Sequence, residues 1–318
     1  MENLIINISL ILIGVIMLYY GAEFLVKGSS SLAITFGISP LIVGLTVVAF
    51  GTSAPELFVS FTAGMKDSSD IAIGNVIGSN ICNIGLILGL SALIMPVRVN
   101  IKAMKIDIAL MILASLAVWI MIIDNEIGRF EGFILTFGIL AYVAYTIKKV
   151  LKGKDVVETE VVAGQKKKSK GFYILLIISG LGILIIGSNL FIEGAIQIAK
   201  TLGVSNAIIG LSLVAFGTSL PELATSVLAA VKKQSDISLG NVIGSNIFNL
   251  LFILGITAIL FPIGAGDIQN VDYIVMILLA VIIIPMGLIK KQYGRIDGLL
   301  LLLIYFAYMY YLFVNLPK

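Results

Sequence analysis

The chain has 318 residues, of which 59% are hydrophobic and 12% are charged, and its formal net charge is +3. A soluble domain carries roughly 25% charged residues, so the polar residues here are too few to cover a water-exposed surface. The composition therefore excludes a soluble globular protein. The single cysteine, Cys82, excludes an intrachain disulfide framework and is interpreted as a core residue.

Apolar stretches long enough to cross a bilayer, about 20 residues each, recur along the whole chain. Dividing them at charged and Gly/Pro-rich positions predicts an all-α polytopic membrane protein with ten transmembrane helices. The first stretch lacks the basic leader of a signal peptide, so we interpret it as a retained helix. The predicted spans are 4–25, 39–64, 71–95, 106–123, 130–147, 172–192, 206–230, 237–261, 272–289 and 296–315.

The distribution of Lys and Arg between the loops predicts the orientation. With the N-terminus outside, 17 of the 21 basic residues lie on the cytoplasmic side. We therefore expect a multi-pass protein of the cell (plasma) membrane with both termini outside. Segment 148–171 is a Lys-rich cytoplasmic linker between a first five-helix repeat, 1–147, and a second, 172–318. We interpret it as a solvated anchor, and binding of anionic lipid or regulation is the alternative.

The two halves of the chain repeat each other at an offset of 166 residues. GLTVVAFGTSAPELFVS at 44–60 matches GLSLVAFGTSLPELATS at 210–226 in 12 of 17 positions. DIAIGNVIGSNICN at 70–83 matches DISLGNVIGSNIFN at 236–249 in 11 of 14 positions. Because each repeat holds five spans, an odd number, the second copy is inverted in the membrane. Secondary transporters of this plan bind their substrates near the midplane, between the copies.

Glu56 and Glu222 lie at equivalent positions inside the second and seventh spans. A carboxylate in the bilayer core costs several kcal/mol, and no Lys or Arg lies at a similar depth in the predicted spans. We therefore interpret Glu56 and Glu222 as functional residues. Pro55 and Pro221 precede them, which predicts that these helices are interrupted or kinked and expose carbonyl oxygens.

Other oxygen-bearing side chains share the helical faces of the glutamates or follow helical spacing on the third and eighth spans. Every one of these groups offers oxygen, and calcium takes six to eight oxygen ligands. Two glutamates neutralise one divalent ion, and sodium can use the same oxygens. The residues are Thr52, Ser53, Thr218 and Ser219 beside the glutamates, and Ser79, Asn83, Ser245 and Asn249 on spans three and eight. Asn75, Asn80, Asn241 and Asn246 add further amides, and Gly74, Gly78, Gly240 and Gly244 are interpreted as packing positions.

The words GTSAPELFVS and GTSLPELATS, with GNVIGSNICN and GNVIGSNIFN, resemble the two alpha-repeats of sodium/calcium exchangers in the cation/calcium exchanger superfamily. The resemblance covers both halves of the chain and is closest to the compact prokaryotic members. It implies ten helices, and we expect helices 2, 3, 7 and 8 to form the site and to be interrupted or kinked. It also implies electrogenic exchange of about three sodium ions for one calcium ion, and alternating access by sliding of the first and sixth helices.

The resemblance also implies residue roles. Glu56 and Glu222 would bind calcium, aided by backbone carbonyls of Thr52 and Thr218. The positions that match contributors to the sodium sites are Ala49, Ser53, Ser79, Ala215, Ser219 and Ser245, and Asn83 matches a further site position. Some relatives, including potassium-dependent ones, carry aspartate where this chain has Asn249. This difference argues against potassium coupling and reduces the acidic groups available for proton coupling.

Two other functions stay open at this point. A calcium/proton antiporter of the same fold would use the glutamates as proton carriers, and a cation channel would conduct without a counter-ion. An enzyme is not expected, because the chain shows no nucleophile–base pair, metal triad or cofactor motif. We expect calcium and sodium as transported ions and the lipid bilayer as surroundings, with no cofactor, no nucleic acid and no obligate protein partner.

Overall fold

The computed structural model describes residues 2–66, 68–151, 169–202, 215–266 and 268–315. Most of the predicted linker 148–171, and the first part of the span predicted at 206–230, lie outside these residues. Among the described residues, eight helices are long and apolar enough to cross a membrane, and one bent pair forms a ninth span. Helix Leu220–Val231, which follows 203–214, is shorter.

We number the spans α1 to α10 in chain order. The unbroken ones are α1 (Glu2–Phe36), α4 (Ile101–Met121), α5 (Arg129–Leu151), α6 (Lys170–Thr201), α9 (Asn270–Lys290) and α10 (Arg295–Asn315). The second span, α2, consists of Pro40–Val43, a π-helical segment Gly44–Val48, Ala49–Thr52 and Ala54–Met65. The third, α3, consists of Ser69–Cys82, a π-helical segment Asn83–Leu88 and Gly89–Ile94. The described part of α7 is Ala215–Thr218 with Leu220–Val231, and α8 is Ser235–Ile247, a π-helical segment Phe248–Ile253 and Leu254–Leu260.

Helices α1 and α6 are longer than the sequence predicts. The predicted ends at 25 and 192 are wrong, since α1 continues to Phe36 and α6 to Thr201. Lys27 does not end α1, because its side chain is exposed and a lysine can extend its charge away from an apolar helix. The chain leaves the helical conformation at Gly37, whose φ of 65° is a left-handed value that glycine adopts readily.

The backbones of α1 and α6 lie in direct contact. A Cβ atom added at Gly180 would lie 2.7 Å from the nitrogen of Leu25 and 2.8 Å from the oxygen of Gly21. A Cβ atom at Gly14 would lie 2.7 Å from the oxygen of Gly187. Glycine is therefore required along this contact, as it is in other tightly packed membrane helix pairs.

Two short strand pairs show the relation between the repeats. β1 (Val97–Arg98) pairs antiparallel with β4 (Gln292–Tyr293), and β2 (Glu126–Ile127) pairs antiparallel with β3 (Ile263–Gly264). A shift of 166 residues converts β1 into β3 and β2 into β4, so each pair maps onto the other. β1 and β4 follow odd-numbered spans, whereas β2 and β3 follow even-numbered ones. The pairs therefore lie on opposite membrane sides, as two inverted repeats require.

Helices α3 and α8 occupy the centre of the protein. Every residue from 237 to 251 in α8 is buried, and Cys82 at the middle of α3 is buried and unpaired. For Gly78 the interpretation as a packing position is wrong, since an added Cβ atom would have no described atom within 4 Å. For Gly240 and Gly244 the interpretation is confirmed. Their added Cβ atoms would lie 2.8 Å from the oxygen of Leu41 and 2.6 Å from the oxygen of Leu45, both in α2. The second repeat thus packs its central helix on the broken helix of the first.

Candidate ion-binding site

Helices α2 and α7 break one residue before the helical segment that carries their proline. In α2 the break is at Ser53, and the two parts meet at an angle of 44°. In α7 the break is at Ser219. Because proline is tolerated in the first turn of a helix, each break begins a new helix and puts Glu56 or Glu222 in its first turn. The partial positive charge of a helix N-terminus favours a carboxylate there.

The two glutamates are buried and receive hydroxyl groups from opposite repeats. Glu56 is 1% exposed and Glu222 is 0% exposed. Ser53 Oγ donates to Glu222 Oε1 at 2.9 Å, and Ser219 Oγ donates to Glu56 Oε1 at 3.2 Å. Each break thus supplies a hydroxyl to the carboxylate of the other broken helix. The site therefore belongs to both repeats equally.

The glutamates and two asparagines contribute four of the buried side-chain oxygens that receive no hydrogen bond from a described residue. They are Oε2 of Glu56 and of Glu222, and Oδ1 of Asn83 and of Asn249. The glutamates are equivalent at the 166-residue offset, and so are the asparagines. Buried polar atoms are almost always satisfied, so these four oxygens are candidate ligands for a cation.

Helices α3 and α8 extend the site through their serines. Ser219 Oγ lies 3.4 Å from Ser79 Oγ, and Ser245 Oγ donates to Glu222 Oε1 at 3.5 Å. Asn83 and Asn249 follow one turn later on the same helices, at the π-helical segments Asn83–Leu88 and Phe248–Ile253. Single π-helical turns inside α-helices often mark functional positions.

The predicted threonines contact asparagines of the opposite repeat, and Thr52 also contacts Glu222. Thr52 Oγ1 donates to Asn241 Oδ1 at 3.0 Å, and Thr218 Oγ1 lies 3.5 Å from Asn75 Oδ1. The two asparagines in turn donate their amide hydrogens toward the backbone oxygens of the glutamates. Asn75 Nδ2 lies 3.0 Å from the oxygen of Glu56, and Asn241 Nδ2 lies 3.5 Å from that of Glu222. Asn75 and Asn241 therefore connect the breaks to the glutamates.

From the sequence, Asn75 and Asn241 were identified only as further amides, and the serines beside them, Ser60 and Ser226, were not identified. Asn75 also donates to Ser60 Oγ, and Asn241 to Ser226 Oγ, each at 2.9 Å. The signal was present, because all of these residues match across the 166-residue offset. The predicted alanines contribute backbone. The oxygen of Ala49 accepts from the nitrogen of Ser53 at 3.0 Å, and Ala215 begins the described part of α7.

The described part of the chain offers the glutamates no basic partner. No Lys or Arg among the described residues is buried, and neither glutamate forms an ion pair with one. The acids that do pair are elsewhere, Glu23 with Lys232 at 2.8 Å and Asp297 with Lys290 at 3.0 Å. Buried negative charge that has no basic partner among the described residues favours the binding of a cation.

Helix α6 contacts both broken helices, but not symmetrically. Ser188 Oγ donates to the oxygen of Gly217 at 2.7 Å. Gly217 precedes Pro221 by four residues, so a regular helix would have used this oxygen to bind the nitrogen that proline lacks. The position equivalent to Ser188 in the first repeat is Ala22, which has no donor. The second repeat thus has a polar contact between α6 and its broken helix that the first cannot form.

The family model described as sodium/calcium exchanger protein matches residues 6–148 and 172–314. The sodium/calcium exchanger MaX1 of Methanosarcina acetivorans is 30% identical to the chain, covering 97% of this chain and 99% of its own. The inner membrane protein YrbG of Escherichia coli is 34% identical, with 96% and 97% covered. A solved structure of the sodium-calcium exchanger NCX_Mj, soaked with sodium and strontium, has 35% identity and a TM-score of 0.84, with 99% and 100% covered.

MaX1 and NCX_Mj are named as sodium/calcium exchangers. The ten-helix, inverted-repeat fold predicted from the sequence is confirmed by the structural match. The matched residues include the two helix breaks, both glutamates and the repeated sequence motifs. The chain is a multi-pass membrane protein and a cation antiporter that belongs to the sodium/calcium exchanger family.

Proposed function

We propose that the chain exchanges sodium for calcium across the cell membrane by alternating access, and that both ions use the pocket between Glu56 and Glu222. The observation that carries this proposal is the pair of buried carboxylates with bare oxygens and no basic partner. Two such charges in low dielectric favour a bound cation strongly over an empty site.

The chemistry of the pocket favours calcium and sodium over transition metals. Its donors are carboxylate, amide and hydroxyl oxygens, and hard cations prefer oxygen. Two carboxylates balance one calcium ion, while the amides and hydroxyls add ligands without charge. The four bare oxygens supply part of the six to eight that calcium takes. The backbone carbonyls of Thr52 and Thr218 are proposed to help the glutamates bind calcium. The groups proposed to bind sodium are the serines Ser53, Ser219, Ser79 and Ser245 and the backbone at Ala49 and Ala215.

Exchange follows because sodium and calcium compete for the same oxygens. About three sodium ions carry one more positive charge than one calcium ion, so we propose that the exchange is electrogenic. Helix α6 contacts both broken helices, as at Ser188 and Gly217, and α1 packs against α6 along its glycines. Movement of the α1–α6 pair would therefore change which membrane side reaches the pocket.

The proposed orientation puts the N- and C-termini outside and the segment 148–171 in the cytoplasm. Its support is the excess of Lys and Arg in the loops assigned to that side, 17 of 21 basic residues. This assignment locates the β1–β4 pair on the cytoplasmic side and the β2–β3 pair on the outer side.

The test is calcium-45 uptake into liposomes that contain the purified protein. Uptake is expected when the vesicles are loaded with sodium and diluted into sodium-free medium. It should accelerate when valinomycin and an inward potassium gradient set an interior-positive potential, because about three sodium ions leaving for one calcium ion entering carry one net positive charge out of the vesicle. Insensitivity to the imposed potential would contradict electrogenic exchange. Uptake that needs only a pH gradient would instead support calcium/proton exchange, and steady currents in planar bilayers without a counter-ion would support a channel.

Replacing Asn249 by aspartate tests the role of the neutral amides. Asn249→Asp adds a third carboxylate to a site that has two, so we expect the sodium or proton dependence of transport to change more than calcium binding does. The measurement is calcium-45 uptake at varied sodium concentration and pH, beside calcium binding to the purified variant. The same sodium and pH profiles as the unmodified protein would show that this position is peripheral to the site.

A further inference from the structure

Asn80 and Asn246 are buried beside the asparagines that carry bare oxygens, and each contacts the one from the other repeat. Asn83 Nδ2 donates to Asn246 Oδ1 at 2.9 Å, and Asn249 Nδ2 donates to Asn80 Oδ1 at 3.1 Å. All four side chains are at most 1% exposed. The amide nitrogens of Asn83 and Asn249 are thus held by hydrogen bonds, while their oxygens have no described donor.

Asn80 and Asn246 are themselves oriented by the sulfur atoms of methionines. Asn246 Nδ2 lies 3.5 Å from Met111 Sδ in α4, and Asn80 Nδ2 lies 3.8 Å from Met276 Sδ in α9. Asn80 Nδ2 is also 3.5 Å from the backbone oxygen of Asn246. A thioether can accept a hydrogen bond but cannot donate one. The amide nitrogens therefore face the methionines, and the amide oxygens face the opposite way.

Orientation matters because the two ends of an amide have nearly the same size and opposite polarity. If Asn83 turned over, it would present N–H groups instead of an oxygen, and N–H groups repel a cation. Only the neighbouring acceptors decide between these two orientations. Two series of contacts favour the orientation in which the amide oxygens of Asn83 and Asn249 remain free for a cation. They are Met111–Asn246–Asn83 and Met276–Asn80–Asn249, and each crosses from one repeat to the other.

We propose that Asn80 and Asn246, each oriented by a methionine, are positioning residues that keep the oxygens of Asn249 and Asn83 available to the transported ion. This inference rests on the proposed function, because it takes the ion site to include those two oxygens. It assigns to α4 and α9 a part in ion binding, although neither helix carries a ligand. It also explains why asparagine occurs at both positions in both repeats.

The first variant is Asn246→Leu, which keeps the approximate size of the side chain and removes its acceptor. Loss of a residue that orients a metal ligand typically weakens binding about 10- to 100-fold, and we expect calcium affinity to fall within that range. Calcium binding to the detergent-purified protein is the measurement. Thermal unfolding without ions shows whether the variant is folded, and Asn80→Leu is the equivalent change in the other repeat.

A second variant separates positioning from a purely structural role. Asn83→Asp replaces the amide by a carboxylate, which offers acceptor atoms only and needs no orientation. Asn246→Leu combined with Asn83→Asp should therefore recover most of the calcium affinity that Asn246→Leu loses, with Asn83→Asp alone as reference. Met111→Leu should also weaken calcium binding, whereas Met104→Leu, a matched change of a buried methionine on the same helix, should not.

The possible failures have different meanings. Unchanged calcium affinity in Asn246→Leu, or a loss that Asn83→Asp does not restore, would overturn the positioning role. Equal effects of Met111→Leu and Met104→Leu would overturn the role of the sulfur. If Glu56→Gln binds calcium as the unmodified protein does, the ion site itself is misplaced, and the proposed function fails rather than this inference alone.

Discussion

Glu56→Gln and Glu222→Gln are each expected to abolish calcium transport while leaving the protein inserted and folded. Glutamine has the shape of glutamate, so the hydroxyl bonds from Ser219 and Ser53 can persist. The change removes one of two charges that have no basic partner, and it brings N–H groups into a site that is otherwise lined with oxygen. A divalent ion would then be only half neutralised in low dielectric, which is strongly unfavourable.

The measurement is calcium-45 uptake into liposomes, normalised to the amount of inserted protein. Glu23→Gln is a matched control, since Glu23 is also an acid within an apolar helix but pairs with Lys232 at 2.8 Å. We expect that variant to keep calcium transport. Near-normal uptake in either Glu56→Gln or Glu222→Gln would contradict the assigned site, whatever the control shows.

Gly180→Ala is expected to lower the stability of the protein markedly. The new methyl group would lie 2.7 Å from the nitrogen of Leu25 and 2.8 Å from the oxygen of Gly21. Both are backbone atoms, which cannot rotate away as a side chain can, so α1 and α6 must separate along their contact. Forcing extra volume into a packed interface costs about 1–3 kcal/mol. The Tm of the detergent-solubilised protein should fall by several degrees.

Gly182→Ala on the same helix is the control. A Cβ atom at Gly182 would have no described atom within 4 Å, so the substitution adds no clash there. Alanine favours a helix over glycine by about 1 kcal/mol, a gain that both variants share. Gly182→Ala should thus keep or raise the Tm, and equal Tm values for the two variants would show that the close contact of α1 and α6 is unimportant for stability.

The sequence was sufficient to predict the features that polar residues determine locally. Pro55 and Pro221 predicted the breaks in α2 and α7. Each break occurs one residue before the start of the helical segment that carries the proline. The unpaired glutamates were predicted from the absence of basic residues at their depth. The inverted repeat was predicted from polar sequence motifs that align between the two halves and from the odd number of spans in each half. Each of these depends on residues close together in the chain or equivalent at a fixed offset.

Features that depend on tertiary contacts could not be predicted in this way. Nothing local distinguishes the π-helical segment that begins at Asn83 from an ordinary helical turn. Asn80 and Asn83 look alike in sequence, and only the contact of Asn80 with Met276 across the interface distinguishes the proposed orienting amide from the proposed ligand. Similarly, Lys27 suggested a helix end, because hydropathy registers the charge but not where a long side chain can extend.

The exchange of hydroxyl groups between Ser53, Ser219 and the two glutamates has a consequence for how the chain is divided. A boundary drawn between α5 and α6 separates two similar sequences, yet it leaves each of them with half of the proposed ion site. Neither copy contains both a glutamate and the serine at a helix break that donates to it. We therefore expect a single repeat to bind calcium only beside a second, inverted copy of itself.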